Sequence, residues 1–215
     1  MKLIAALAEI KKSCQAVLTT ADMMGLLDLE KSHASKLLSR LADSGHVVRV
    51  KRGLWVLAGG VDPLTLPRFL TAPFPSYVSL QSALYYHGMI SQISSVTYCV
   101  SLARTRSYAT PLGTYSIHHV VPSFFFGYEE AGPNGVVMAM PEKALIDFLY
   151  LAPAKSRLFA ALPELELAPS FSMPKAREMI GAVSSRVRRS LIEKRLRQLE
   201  QGMSLSDAAY TSISP

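Results

Sequence analysis

The sequence predicts a mixed α+β protein with a small N-terminal unit, an α/β C-terminal unit and a basic helical tail. Three observations lead to this prediction. Before residue 46, apolar residues recur at helical spacing, and two β-rich runs then flank a glycine-containing turn. Between residues 77 and 151, strand-like and helix-like patterns are mixed. After residue 184, a helical pattern is rich in arginine. We therefore predict units at 1–60 and 77–203, joined by a proline-rich linker at 61–76.

The composition excludes several classes of protein. Of the 215 residues, 49% are hydrophobic and 18% are charged, which is the opposite of the balance typical of disorder. No stretch approaches the ~20 apolar residues that a membrane helix needs, so no membrane partner is expected. Two cysteines, Cys14 and Cys99, are too few for a disulfide framework or a zinc site. We expect a cytoplasmic protein without a metal or cofactor.

Positive charge lies at both ends of the chain. The net charge is +7, from 23 basic and 16 acidic residues. Residues 1–60 have nine basic and five acidic residues, and residues 174–202 have eight basic and three acidic ones, whereas the middle is nearly neutral. A clustered basic surface suits a polyanionic partner, although the same charge can simply aid solubility.

The first unit reads as three helices and a hairpin. A first helix is predicted over 2–12, and a second begins at the N-cap Thr20. A third covers 33–44, with Ser32 as its N-cap, Gly45 as its C-terminal stop and an inward stripe of Ala34, Leu37, Leu38 and Leu41. Two β-rich runs follow around the turn Lys51-Arg52-Gly53. This order of elements is typical of a winged helix-turn-helix.

The outer face of the third helix carries short hydroxyls and cations that suit a major groove. Small donors and acceptors reach base edges, and cations reach phosphates or guanine. The hairpin that follows is then a wing, whose Lys51 and Arg52 are placed to meet phosphates or the minor groove. The predicted DNA-binding residues are Ser32, Ser35, Lys36, Ser39, Arg40, Lys51 and Arg52. The alternative is a module of the same shape that binds another protein.

The second unit is predicted as a helix between Ser79 and Gly88, four strands and a further helix. The strands are expected at Val96–Ser101, 116–121, 124–128 and 136–140, and the helix over 144–151 follows Pro141, Glu142 and Lys143 in its first turn.

Four segments in this order, after the winged helix, resemble the AbiEi family, the antitoxins of bacterial type IV toxin–antitoxin systems involved in abortive infection. These segments are SLQSALYYHG at 79–88, TPLGTYSIHHV at 110–120, FFFGY at 124–128 and PEKALIDFLYL at 141–151. The resemblance implies a repressor that binds operator DNA, with inverted repeats, upstream of its own operon. It also implies a C-terminal domain that opposes a nucleotidyltransferase-like toxin without a stable complex. The runner-up is a winged-helix regulator whose C-terminal domain senses a ligand or oligomerises.

An enzyme is the least favoured class. His118 and His119 are adjacent on a predicted strand and should point to opposite faces. Glu142 and Asp147 are about 140° apart around one predicted helix, so they should not form a metal-binding pair. No HExxH motif, CxxC pair or glycine-rich phosphate loop is present in the sequence. We therefore predict binding without catalysis.

The last predicted element is a basic helix from residue 184 or 185 to about Gln201, with Gly202 as its stop. Its Arg188 and Arg195 fall within the apolar arc. One interpretation is a docked helix whose arginine stems extend along apolar surface or pair with acids. The other is a second surface for an anionic partner, composed of Arg186, Arg188, Arg189, Arg195 and Arg197.

Overall fold

The computed structural model describes residues 3–132, 134–151 and 165–211, and only the backbone from residue 202 onward. Residues 152–164, part of the predicted second unit, lie outside the described residues. The fold is mixed α+β with two sheets. The N-terminal unit contains the helices α1 (Leu3–Lys12), α2 (Thr20–Leu27) and α3 (Lys31–Asp43). Its antiparallel sheet contains β1 (Val17–Thr19), β2 (Val47–Lys51) and β3 (Leu54–Leu57), in the order β1-β3-β2.

Both predicted N-caps in this unit are wrong by one or two residues. The N-cap of α2 is Thr19, not Thr20, because Thr19 and Asp22 form a reciprocal capping box. The Asp22 backbone N–H donates to Thr19 Oγ1 at 3.1 Å, and the Thr19 N–H donates to the Asp22 carboxylate at 2.6 Å. Helix α3 begins at Lys31 after Glu30, so Ser32 lies inside the first turn. The predicted inward stripe of α3 is confirmed: all four of its residues are buried.

The segment predicted as a linker is ordered and packed. Residues Pro63–Thr65 form a short 3-10 turn, and α4 (Pro67–Thr71) follows at once. Leu66 and Leu70 are buried in the larger hydrophobic core of the molecule. Two of the four prolines, Pro63 and Pro67, stand at the starts of these elements, where a missing N–H costs nothing, so this part of the segment is helical and not extended.

The second unit is built around a six-stranded sheet. Its strands are β4 (Ser76–Val78), β5 (Val96–Ser101), β6 (Arg106–Thr110), β7 (Gly113–His119), β8 (Tyr128–Ala131) and β9 (Val136–Ala139). Their order is β6-β7-β5-β4-β9-β8, with parallel pairing between β5 and β7 and between β4 and β9. The helices are α5 (Leu80–Tyr86), α6 (Pro141–Leu151), α7 (Met173–Gly181) and α8 (Arg186–Thr211); α6 packs against α5, α7 and α8.

Three predicted boundaries in this unit change. The strand predicted at 124–128 is wrong: Pro122–Phe124 is a 3-10 turn, and β8 begins only at Tyr128. Gly127 has φ +72°, and a Cβ there would lie 3.1 Å from Lys143 Cγ, so this stretch bends closely over α6. The strand predicted at 116–121 begins earlier and ends at His119. Gly202 does not stop the last helix, whose backbone continues to Thr211.

The β2–β3 hairpin lies between two hydrophobic cores. Val47 and Trp55 belong to the N-terminal core with the inward stripe of α3. Val50, Leu54 and Val56, which we call the docked hairpin residues, belong to the core of the second unit. Along β3 the side chains therefore alternate between the two cores, as a strand with two faces requires.

Within the described residues, no helix combines the length and apolar content needed to cross a membrane.

Candidate nucleic-acid interface

A tight turn connects helices α2 and α3. Asp28 adopts a left-handed conformation with φ 49° and ψ 53° and ends α2, and the Leu29 N–H donates to the Met24 carbonyl at 3.1 Å. Helix α3 then packs its inward stripe into the N-terminal core, so its opposite face is turned outward. The tight turn and the buried stripe together fix which side chains α3 presents to solvent.

The outward face of α3 carries all five predicted residues of that helix. Their positions follow the i, i+3, i+4, i+7 and i+8 spacing of one helix face, and every one is exposed: Ser32, Ser35, Lys36, Ser39 and Arg40. Among the described residues, no hydrogen bond or ion pair engages the side chains of Lys36 and Arg40. This face therefore offers three hydroxyls and two uncommitted cations.

The two predicted cations at the hairpin turn have different environments. Arg52 lies in the two-residue turn with Gly53, which has φ +78°, and its side chain is exposed. Lys51 is the last residue of β2 and is half-buried. Its Nζ donates to the carbonyls of Leu70 at 2.9 Å and Phe69 at 3.2 Å, both in α4. Lys51, which the sequence predicted to meet phosphates or the minor groove together with Arg52, therefore makes these two hydrogen bonds inside the protein.

The burial of Lys51 also changes its electrostatics. Desolvation, and secondarily the nearby Arg106 guanidinium, lower the pKa of the Lys51 ammonium. The Tyr108 ring lies under this ammonium, 5.7 Å from Nζ to the ring centroid. Two carbonyl dipoles and a ring face offset the cost of removing this charge from water.

The five arginines of α8 do not share one surface. At about 100° per residue, Arg188 and Arg195 lie within about 20° of each other, as do Arg186 and Arg197, but the two pairs are roughly opposite around the helix. Ile192 and Leu196, which are buried, mark the docked side of α8 between Arg188 and Arg189. The predicted second anionic-partner surface is therefore split in this structure.

Contacts of these arginines differ as well. The Arg188 guanidinium lies 4.5 Å from the Tyr150 ring centroid. Arg189 donates from Nε and Nη2 to the Val183 carbonyl, at 3.0 and 2.6 Å, just before the helix begins. Arg197 Nε donates to the Glu193 carbonyl one turn earlier, at 3.4 Å. No ion pair with an acid of the second unit engages Arg188 or Arg195 among the described residues.

A buried polar cluster underlies the second unit, and the sequence did not predict it. Lys143 donates to the Asp147 carboxylate across one turn of α6, and both side chains have no exposed surface. Asp147 Oδ2 also accepts from Ser79 Oγ at 2.7 Å and from the Tyr77 hydroxyl at 3.0 Å. Ser79 is the N-cap residue of α5, as predicted, but its hydroxyl donates to Asp147 and makes no capping hydrogen bond. The missed signal is an i, i+4 Lys–Asp pair within an apolar helix.

Aromatic rings complete the surroundings of this ion pair. Lys143 Nζ lies 3.7 Å from the Phe124 ring centroid and 5.0 Å from that of Phe126. Burial lowers the pKa of Lys143 and raises that of Asp147, and in each case the partner opposes the shift. Burial, followed by the charge of Asp147, also raises the pKa of the Tyr77 hydroxyl. Because the ion pair is fully enclosed, a substrate would not reach it in this structure.

The remaining histidines and acids are dispersed. His118 is buried, with Nε2 3.0 Å from Ser116 Oγ, whereas His119 is exposed with Nδ1 3.2 Å from the Ala103 carbonyl. Their placement on opposite faces of β7 is as predicted. Glu142 accepts from the Ser172 N–H at 2.9 Å and lies 3.6 Å from Lys175 Nζ. Among the described residues, no three His, Cys, Asp or Glu side chains cluster so that they could hold a metal ion.

Compared with models of known protein families and with curated proteins, the sequence gives no match. The four segments that carry the sequence resemblance can still be placed in the fold. Three of them meet at the buried cluster: the first supplies Ser79, the third supplies Phe124 and Gly127, and the fourth supplies Lys143 and Asp147. These three segments therefore contribute residues to the buried interior of the second unit.

Proposed function

We propose that this chain is a DNA-binding antitoxin, with a winged helix-turn-helix that represses its own operon. In this proposal α3 enters the major groove of operator DNA containing inverted repeats. The second unit opposes a nucleotidyltransferase-like toxin without a stable complex, and the protein works in the cytoplasm by binding and not by catalysis.

One observation carries the DNA-binding part of the proposal. A helix held by a tight turn presents Lys36 and Arg40 beside three hydroxyls, and none of the five side chains is buried. Arg52 adds an exposed cation at the hairpin turn that follows this helix. Short hydroxyls flanked by cations suit base edges flanked by phosphates.

The salt dependence of DNA affinity tests this part. With Lys51 held by α4, three cations remain from the predicted set, so log affinity should fall with log salt at a slope near −2.7, from about 0.9 per phosphate. The measurement is fluorescence anisotropy of labelled duplex that carries a single repeat from the region upstream of the gene. A triple variant, K36A/R40A/R52A, should lose most of the affinity and of the slope. The matched control is K194A, which removes an exposed cation on α8. A slope near zero for the unaltered chain would refute DNA binding.

The antitoxin part is supported by the resemblance of the four segments, and it needs its own test. The full chain should restore growth when it is expressed with a neighbouring nucleotidyltransferase-like gene. The K36A/R40A/R52A variant should retain this rescue, because its changes lie outside the second unit. Co-purification should yield no stable complex of the two proteins. Absence of rescue by the full chain would contradict the antitoxin proposal while leaving DNA binding intact.

A cleft between the two units favours the runner-up, a ligand-sensing winged-helix regulator. It has a volume of about 860 Å³, and its lining includes Gln15 and Asp22 of the N-terminal unit with Arg68 and Asn134 of the second. A small polar molecule bound there would contact both units at once. Under this alternative, metabolite extracts should change DNA affinity, and an R68A variant should not respond to them.

A further inference from the structure

The wing-like hairpin is as much a part of the second unit as of the first. Its docked residues Val50, Leu54 and Val56 are buried in the core that also contains Leu66 and Leu70. Its other face supplies Val47 and Trp55 to the core beneath α3. Two sets of apolar contacts on opposite faces of a single hairpin join α3 to the six-stranded sheet.

Lys51 closes the polar end of this junction. Its two hydrogen bonds reach the carbonyls of Phe69 and Leu70 near the end of α4, where helical carbonyls lack intrahelical partners. The Tyr108 ring on β6 lies under the same ammonium. A single side chain of the N-terminal unit thus contacts two separate elements of the second unit, α4 and β6.

We propose that Lys51 is a positioning residue, which fixes the orientation of α3 relative to the six-stranded sheet and makes no phosphate contact. This inference rests on the proposed DNA-binding function. It divides the roles of two adjacent cations: Arg52 binds the phosphate backbone, and Lys51 holds the hairpin that carries Arg52. The two roles follow from geometry, since Arg52 is exposed and both hydrogen bonds that Lys51 donates are internal.

The first measurement is the distance between the two units, in the full chain. Spin labels at D43C on α3 and E129C on β8 replace exposed side chains, in a C14S background that removes the exposed thiol; Cys99 is buried. With Lys51 unaltered, pulsed electron spin resonance should give a narrow distribution of the distance between the two labels. K51M keeps an apolar side chain of similar length but loses both hydrogen bonds to α4, and it should broaden the distribution. K51R keeps charge and donors and should restore a narrow one.

The second measurement separates positioning from phosphate binding. K51M should weaken affinity for upstream DNA several-fold while leaving the salt slope unchanged, because no phosphate contact is lost. R52A, the matched control, should make the slope shallower by about 0.9. A K51M slope shallower by about 0.9, with an unchanged distance distribution, would overturn the inference in favour of a direct phosphate contact.

Other outcomes are equally decisive. An unchanged distance distribution together with unchanged affinity in K51M also overturns the inference. If K51M fails to fold, as judged by circular dichroism, K51L decides the question, since it also removes the charge and every donor: a broad distribution supports positioning, and a narrow one refutes it. If the unaltered chain binds no DNA, the proposed function fails, but the distance measurements still test whether Lys51 fixes the two units.

Discussion

Removing Asp147 alone from the buried Lys143–Asp147 pair should destabilise the protein more than removing both partners. In D147N, the Lys143 ammonium loses its counter-charge and keeps only a neutral amide oxygen and aromatic rings, the nearest ring being that of Phe124 at 3.7 Å. Leaving one member of a buried ion pair without its partner costs about 3–5 kcal/mol. For a chain of this size, that cost corresponds to a fall in melting temperature of roughly 6–20 °C.

The converse variant should be milder. In K143M, Asp147 still accepts from the hydroxyls of Ser79 and Tyr77, and it can take up a proton, as the rise in its pKa on burial favours. Methionine also fills the space among the aromatic rings with a stem of similar length. We expect K143M to cost about 1–3 kcal/mol, which is less than D147N.

The double variant K143M/D147N decides the argument. It buries no charge, so it should be more stable than D147N alone, which requires a coupling energy larger than the cost of K143M. The assay is urea unfolding followed by circular dichroism, with the denaturant slope checked for constancy. E193Q on the exposed face of α8 is a control for loss of a surface carboxylate. Strict additivity of the two single variants would refute the reading of the pair as a coupled unit.

Three further predictions follow from other parts of the molecule. A fragment of residues 1–60 should be unfolded or aggregated, as judged by circular dichroism. The fragment exposes the three docked hairpin residues, and burying each of them contributes about 1.5–3 kcal/mol to stability. A cooperative unfolding transition would instead show that the N-terminal unit folds on its own. R188A should lower stability by about 0.5–1 kcal/mol, because the variant loses the contact with the Tyr150 ring, whereas R186A should leave the urea midpoint unchanged. Equal midpoints for both variants would contradict a stabilising contact of Arg188. Burial lowers the pKa of His118 below its ordinary 6.5, so on acidification the unfolded chain binds this proton before the folded one does, and stability should fall as pH drops below about 6.5. H118N should reduce the loss of stability between pH 7 and pH 5. An identical loss in both proteins would contradict this role of His118.

The sequence predicted the elements whose pattern is local. The inward stripe of α3 is confirmed because helical periodicity alone places Leu37, Leu38 and Leu41 on one side. Strand β5 is confirmed over Val96–Ser101, where β-branched and aromatic residues are bounded by polar ones. The opposite orientations of His118 and His119 follow from the two-residue period of a strand.

The features that the sequence did not predict depend on contacts between distant residues. Nothing local to Lys51 indicates that its amine will bind carbonyls 18 and 19 residues later. The aromatic run at 124–128 has strong β propensity, but its rings pack over α6 and the chain bends at Gly127. Strand β6 was missed because its burial is slight, so no clear hydrophobic alternation marks it.

If the proposed DNA binding holds, the three exposed cations of the predicted set lead us to expect that one copy of the chain binds only half of an operator. Under that proposal Lys36, Arg40 and Arg52 would make three phosphate contacts, with a slope near −2.7. An operator with inverted repeats presents the same face of α3 with a second half-site, so two copies together should give a slope near −5.4. Anisotropy on a full site and on a single repeat measures both slopes, and analytical ultracentrifugation gives the number of chains bound. Equal slopes and one chain on both DNAs would mean that a single copy recognises the whole operator. Two chains with a doubled slope would mean that the three cations act once in each half-site.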